Sequence, residues 1–401
     1  MSEEFLGYER ENGSVGIRNK IAILPSVVCS SVVAKKISEK IENSVAMIHP
    51  FGCGHIGPDF QYVARTLSGL AANPNIYGVL IVGLGCENIT SKILAKMIKK
   101  TKKPVEYFDI QDVYGGTIAS IEKGIKIAKK MAIDSKELKR EIFDFSHLIL
   151  GLECGGSDSI SGITANPALG IVSDKIVELG GTSILPEFTE WIGTEHLLKE
   201  RAVNEGIAKK IDVIITSFIK STEKIGLDFR GAQPTPGNIE GGLTTIEEKS
   251  LGTIAKAGKA PINGIIQYSE KPKNKGLWLM IEPGLDVESM TGLAAAGAQI
   301  IIMTTGRGTP TGNPVSPVIK ICGNPKTCDW MSCNIDVDAS EIITKGKSVK
   351  NISNILWDTL KETCNGKLTA SEELGHYEMA IWRLPGFGLG LDIDTLMKQE
   401  F

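Results

Sequence analysis

The sequence predicts an α/β protein, with two or more layered α/β domains built on mainly parallel sheets. Three observations predict it. Short runs rich in Val, Ile and Leu recur, and the runs at 44–48, 78–82 and 148–150 each lead into a glycine-rich turn carrying a cysteine. Such runs read as parallel strands buried on both faces. Segments of helical spacing alternate with them, which implies a parallel sheet covered by helices on both faces. The 44 glycines fall in strand-end loops and follow no collagen-like period, a distribution that suits close approach of backbone to a ligand.

Taken in order, residues 20–24 read as a strand, 30–41 as a helix and 45–48 as a second strand. Residues 58–72 are helical by the spacing of Phe60, Val63, Ala64, Leu67 and Leu70. A third strand at 79–82 precedes a helix at 90–100 whose basic end suits the helix dipole. A strand at 105–108 and a helix at 117–131 complete the series, and the charged stretch 132–145 reads as a linker. The division is therefore an N-terminal domain over 1–145 and a C-terminal domain over 146–401, the latter open to subdivision near 240–270. The second series begins at His147. A helix over 167–179 takes Asn166 as its N-cap and Pro167 at its first position, and Gly180-Gly181 ends it. Strand 182–185 and helix 196–211 precede a long irregular stretch, 227–242; loops of this length inside compact domains are usually functional or mobile. Strands are expected at 262–268, 276–281, 300–303 and 318–321.

Bulk properties exclude several classes. A net charge of −3 with mixed signs offers no nucleic-acid surface and no polybasic membrane patch. The longest apolar stretch, 293–303, is too short to span a bilayer, and the acidic N-terminus has no signal-peptide core. A soluble cytoplasmic protein is expected. Its eight cysteines are then thiols or ligands rather than disulfides.

Ligand sites in open α/β sheets gather at the carboxyl ends of strands. Three thiols, Cys53, Cys86 and Cys154, stand at such ends, with His49, His55, Glu87, Glu153 and Asp158 beside them. Thiolate, imidazole and carboxylate together suit iron, zinc or manganese, and three thiolates also suit an iron–sulfur cluster with one open iron. Cys29 follows an apolar run as a fourth such thiol. The bland alternative is that each cysteine is a small buried hydrophobe. Gly83-Leu-Gly-Cys86 opens like a dinucleotide fingerprint but lacks its third glycine. The polar loop 155–159, followed by Asn166 and Pro167, would offer a helix N-terminus to a carboxylate, or simply be a capped turn. Arg307 between glycines can fork onto a carboxylate or pair internally. Arg18 with Asn19 offers a second such position. Cys322, Cys328 and Cys333 are spaced C-x5-C-x4-C, which fits no common zinc pattern.

As a set the motifs are recognisable. Gly7-Tyr8, residues 16–19, Gly52-Cys-Gly54, residues 83–87, Cys154 to Asp158 with Ser161 to Gly170, Pro236-Gly-Asn238, residues 241–252 and residues 304–308 resemble the large catalytic part of the altronate/galactarate dehydratase family. The resemblance runs from about Gly7 to Glu378. It implies removal of water from a sugar acid to give a 2-keto-3-deoxy acid, with iron(II) or manganese(II) as the divalent metal. Many such proteins carry a small SAF-type domain before the large part. This chain begins where the large part begins, so a separate small SAF-type subunit is an expected partner, within an oligomer. The large subunit of sulfolactate sulfo-lyase is similar too, and Ile321-Cys-Gly-Asn-Pro325 resembles that branch, in which sulfite leaves instead of water.

Elimination beside a carboxylate needs stabilisation of an enediolate, a base for the α proton and an acid for the leaving group. The expected metal ligands are His49, Cys53, Cys86, Glu87 and Cys154. Ser157, Asn166 and Arg307, with Arg18 and Asn19, would bind the small carboxylate substrate. His55, Glu153 or Asp158 would move protons. A non-catalytic large subunit of a two-part assembly is the alternative of another class.

Overall fold

The computed structural model describes residues 3–224 and 226–383. The expected C-terminal boundary at 401 lies outside the described residues. Fourteen strands follow in chain order: β1 Glu4–Glu9, β2 Val15–Gly16, β3 Lys20–Pro25, β4 Ser44–Ala46, β5 Ile76–Gly83, β6 Val105–Asp109, β7 Glu141–Asp144, β8 Ile149–Cys154, β9 Thr182–Leu185, β10 Ile262–Ile266, β11 Gly276–Met280, β12 Ile300–Thr305, β13 Val318–Cys322 and β14 Val337–Asp338. They form three sheets, ordered β4-β3-β5-β6, β10-β11-β9-β8-β12-β13-β14 and β2-β1-β7. The first two are parallel throughout. Every residue of β3, β12 and β13 is buried, which is why these strands are largely apolar in the sequence, with the buried Lys320 of β13 the main exception.

The order in each parallel sheet places one reversal point. In the four-stranded sheet it lies between β3 and β5, and in the seven-stranded sheet between β8 and β12. Crevices at the carboxyl ends of such strands are where ligands bind. In the larger sheet the register Thr304↔Cys154 puts the Cys154 loop beside the Arg307 loop.

Helices Gly57–Ala72 and Asp286–Ala295 pack between the two parallel sheets. A Cβ on Gly69 would meet the carbonyl of Ala295, so the helices approach where that side chain is absent. Tyr62 stacks on Tyr268 beside this contact, and Trp382 meets both rings edge-on. The amino edges of the sheets are sewn by polar side chains. Asn73 Nδ2 donates to the carbonyls of Ala294 and Ala298, and Asn75 Nδ2 to those of Gln299 and Val315.

Several expected boundaries change. The charged 132–145 stretch is not simply a linker: residues 141–144 are β7, which pairs antiparallel with β1 at Glu4↔Asp144. The sequence hid this strand because it is mostly exposed. The expected helix over 196–211 is two helices, Glu195–Glu200 and Glu205–Lys224. Asn166 is not an N-cap, because helix Ala165–Glu178 begins one residue before it. The preceding short helix, Ser159–Ile163, is capped by Asp158 instead. The seven-stranded sheet runs across the 240–270 interval, taking β9 and β10 from either side. No helix among the described residues is long and apolar enough to cross a membrane.

Candidate functional site

At the carboxyl end of β8, Cys154 is buried and its thiol donates to Glu187 Oε1 at 3.2 Å and Glu190 Oε2 at 3.5 Å. Both glutamates follow β9. Glu187 takes a left-handed backbone conformation, φ 69°, and precedes the 3-10 turn Phe188–Trp191. A non-glycine residue there is strained by roughly 1–2 kcal/mol. The tight turn then sets Glu190, three residues on, over the same face. Two lysines answer the two carboxylates. Lys256 Nζ pairs with Glu187, and Lys249 Nζ with Glu190 Oε1 at 2.8 Å. They extend from helix Ile246–Ala255 and its C-cap, with Thr253 between them donating to Glu190. Spacings of four and then three residues put all three side chains on one helix face.

More acid lies around this group. Glu282, after β11, accepts from the N–H groups of Gly284 (2.9 Å) and Leu285 (3.2 Å) and from Ser289 Oγ. Asp286 begins the next helix. Glu153 is fully buried, and neither of its oxygens has a hydrogen-bond partner. Burial pushes Glu282 up to about 8. Burial, then Glu190, pushes Asp286 up to about 6. Burial, then the charge of Glu187, raises Glu153 well above the ordinary carboxylate value. Burial also raises Cys154, with Glu187 and Glu190 adding to it. For Glu190 burial acts upward, but Lys249 and Lys256 outweigh it and the group lies below its ordinary value. Two buried carboxylates and a thiol over one point, with an orphan carboxyl behind them, favour a cation there.

Among the described residues, Cys154, Glu187 and Glu190 form the group whose ligand atoms lie within 4.8 Å of one another. Of these, Cys154 and Glu190 open on a cleft of about 440 Å³ whose wall includes Ser157, Asn238, Lys249, Asp286 and Arg307, while Glu187 lies fully buried behind them. Arg307 Nη1 donates to Gly237 O at 2.8 Å and lies 3.1 Å from Glu240 Oε2, so the irregular stretch 227–242 supplies its anchor. Asn238 Nδ2 donates to Ser157 O at 2.9 Å and closes the cleft.

The other expected site residues fall elsewhere. Asp158 accepts from Ser161 N (2.7 Å) and Asn324 Nδ2 (2.8 Å), so both its oxygens hold the loop. Asn166 Nδ2 donates to Gly252 O at 2.9 Å and lines a neighbouring cavity of about 250 Å³. Arg18 forks onto Glu372 with bonds of 3.0 and 2.7 Å, and Asn19 accepts from Arg10. Both belong to the amino end of β3, opposite the ligand-binding edge. Cys53 and Cys86 are exposed on loops of the four-stranded sheet. Among the described hydrogen bonds and ion pairs, none joins those loops to the Cys154 group. His49 Nε2 donates to Pro25 O (2.8 Å) and its Nδ1 accepts from Phe51 N (3.1 Å). Burial holds it down at about 4, hence neutral. His55 accepts from Gly52 N and pairs with Asp59. Glu87 receives Ser26 Oγ and the N–H groups of Leu84 and Gly85. Cys322 and Cys328 lie together beside the Gly306 carbonyl.

Of the residues expected from the sequence, Cys154, Ser157 and Arg307 line this cleft; Glu187, Glu190, Lys249, Lys256 and Asp286, which gather here too, were not among those expected. A signal existed for two of them: Glu187-Phe-Thr-Glu190 follows the expected strand at 182–185 directly.

Comparison with known proteins covers nearly the whole chain. Residues 145–385 match the family model described as D-galactarate/altronate dehydratase, C-terminal. Residues 7–136 match that of the D-galactarate dehydratase/altronate hydrolase second domain. The chain is 38% identical to (2R)-sulfolactate sulfo-lyase subunit beta of Chromohalobacter salexigens, over 95% of this chain and 97% of that one. It is 35% identical to altronate dehydratase of Bacillus subtilis, over 94% of this chain and 77% of that one. It is 32% identical to galactarate dehydratase (L-threo-forming) of Escherichia coli, over 94% and 76%.

Proposed function

The chain belongs to the D-galactarate/altronate dehydratase family, and on that premise we propose that it is a metal-dependent lyase that eliminates water from a sugar acid to give a 2-keto-3-deoxy acid. The observation that carries this reading is the buried Cys154–Glu187–Glu190 group, which meets through Cys154 and Glu190 a cleft with cations at its wall.

The donor set fits a divalent ion. One thiol and two carboxyls converge, with the carboxyls of Glu153, Glu282 and Asp286 around them. Cys154, Glu187 and Glu190 would hold iron(II) or manganese(II), and the bound ion would supply Lewis acidity toward the substrate oxygens. Cys154 must lose its proton to take part, so binding releases a proton. Arg307, already aimed by Gly237 O, and Ser157 would hold the substrate carboxylate. Lys249 places a positive charge at the cleft wall, where an enediolate would develop. Asp286 is the carboxyl placed to take the α proton, since it lines the cleft while Glu153 and Glu282 are fully buried.

The test is elimination from altronate and galactarate by protein loaded with iron(II) or manganese(II), alone and with a small SAF-type subunit. Formation of a 2-keto-3-deoxy acid that is lost in Glu190→Gln supports the reading. No turnover of any hydroxy acid under these conditions overturns it. A second reading rests on similarity: the chain is also 38% identical to a (2R)-sulfolactate sulfo-lyase subunit beta over 95% of its length. Release of sulfite from sulfolactate, with no reaction of sugar acids, would select it.

A further inference from the structure

The chain leaving β13 carries two thiols that the elimination site does not use. Cys322 ends the strand and is fully buried. Cys328 belongs to the short helix Pro325–Trp330 and is half-buried. Asn324 turns the chain back on the strand end: its side chain accepts from Lys326 N at 3.0 Å and its carbonyl from Cys328 N at 3.0 Å. That return sets Cys328 Sγ 3.5 Å from Cys322 O, and the two thiols hydrogen-bond to each other. Cys322 Sγ also reaches the carbonyls of Asn324 at 3.6 Å and Gly306 at 3.8 Å, and Asp338, which ends β14, hydrogen-bonds Cys328.

The contact tunes both sulfurs. The hydrogen bond from Cys328 holds the Cys322 thiol below its ordinary value, with burial acting against it, and the same bond raises Cys328. The pair therefore gives up one proton more readily than an isolated thiol and holds the second. The segment between the sulfurs also backs the substrate cleft. Gly323 N donates to Thr305 O at 3.0 Å, and Asn324 Nδ2 to Asp158 Oδ2 at 2.8 Å. A Cβ on Gly308 would run into Met331 and Thr327, so the helix lies directly against the Arg307 turn.

We propose that Cys322 and Cys328 are a redox pair that closes to a disulfide by exchange with a low-molecular-weight disulfide such as glutathione disulfide, and that closure displaces the Arg307 turn. Cys328, the more exposed sulfur, attacks as thiolate one sulfur of glutathione disulfide; that S–S bond breaks, and one glutathione leaves and takes up the proton Cys328 gave. Cys322 then attacks the Cys328 sulfur of the mixed disulfide, and the second glutathione leaves with the proton of Cys322. Two protein thiols are oxidised, one glutathione disulfide is reduced to two thiols, and excess reduced glutathione reverses the exchange. Drawing the sulfurs from hydrogen-bond contact to a bond of about 2.05 Å pulls the helix at 325–330 toward β13, and with it the contacts on Gly308 and Asp158. The effect on turnover rests on the elimination reading; the disulfide itself does not.

The experiment incubates the full chain with glutathione disulfide, alkylates the remaining thiols and maps tryptic peptides by mass spectrometry. Cleavage after Lys326 separates the two cysteines, so the bridge is read as a linked peptide pair, with fragmentation assigning it to Cys328 rather than Cys333. The linked pair is expected, and dithiothreitol should release it. Cys322→Ser should instead trap one glutathione on Cys328. On oxidation kcat/KM for altronate or galactarate should fall about tenfold and return with dithiothreitol, while Cys328→Ser keeps its rate through the same treatment, which separates this pair from oxidation at Cys154. Absence of the linked pair in excess glutathione disulfide, linkage to Cys333 instead, an unchanged rate in the bridged protein, or an equal loss in Cys328→Ser would each overturn the proposal. Failure of the elimination reading shows separately, as no turnover by the reduced protein.

Discussion

The carboxyl edges of the two parallel sheets are built in opposite ways. At the edge of the seven-stranded sheet, charged side chains from β8, β9 and the helix at 246–255 are buried and paired with one another around Cys154. At the edge of the four-stranded sheet, charged and imidazole groups bind their own loops, and the thiols face outward. The strand geometry is the same in both. What differs is burial: carboxylates out of water must find cations or protons, while groups bound to backbone serve only to hold shape.

Loss of chemistry should be greatest at the first edge. Cys154→Ser and Glu190→Gln are expected to lower kcat/KM by roughly 10³-fold, with the fold retained by circular dichroism; unchanged turnover would move the reaction away from this edge. The amino edge should instead govern stability. Glu372→Gln leaves Arg18 and Lys20 without their buried partner and should cost about 3 kcal/mol in urea unfolding, with kcat nearly unaltered.

That variant also has a pH signature. Burial pushes the Glu372 carboxyl up, but Arg18 and Lys20 outweigh it and hold it below its ordinary value. Its contribution is therefore complete above the unfolded value of about 4.3 and is lost as pH falls through the lower folded value. The stability gap between wild type and Glu372→Gln should shrink on acidification; a gap that widened would reverse the assignment.

Asp286→Asn should reduce kcat about 10²-fold with little change in KM, as expected for a lost proton acceptor. The smallest effect belongs to Asp158→Ala, which removes a helix cap at a cost of about 1 kcal/mol. A loss of activity larger than its loss of stability would return Asp158 to the chemistry.

Both parallel sheets were legible because strands buried on both faces are mostly apolar, so β3, β5, β8, β12 and β13 stand out as runs. Strand β7 was not, since its mostly exposed residues carry no such pattern. Cys154, Ser157 and Arg307 were legible because each sits in a glycine-rich turn straight after a strand. Lys249 and Lys256 were not: on a helix surface, charged residues spaced by helical turns are the ordinary solvated face, and nothing local marks these two as buried.

The sequence by itself determined the two parallel sheets, the family and the loops that reach the ligand-binding edge, because burial periodicity and turn chemistry are local. Tertiary structure alone decided which of those loops share a site. It brought Glu187 and Glu190 under Cys154 and left Cys53 and Cys86 with Cys29 on another sheet, because convergence depends on strand order and on which charges lose their water.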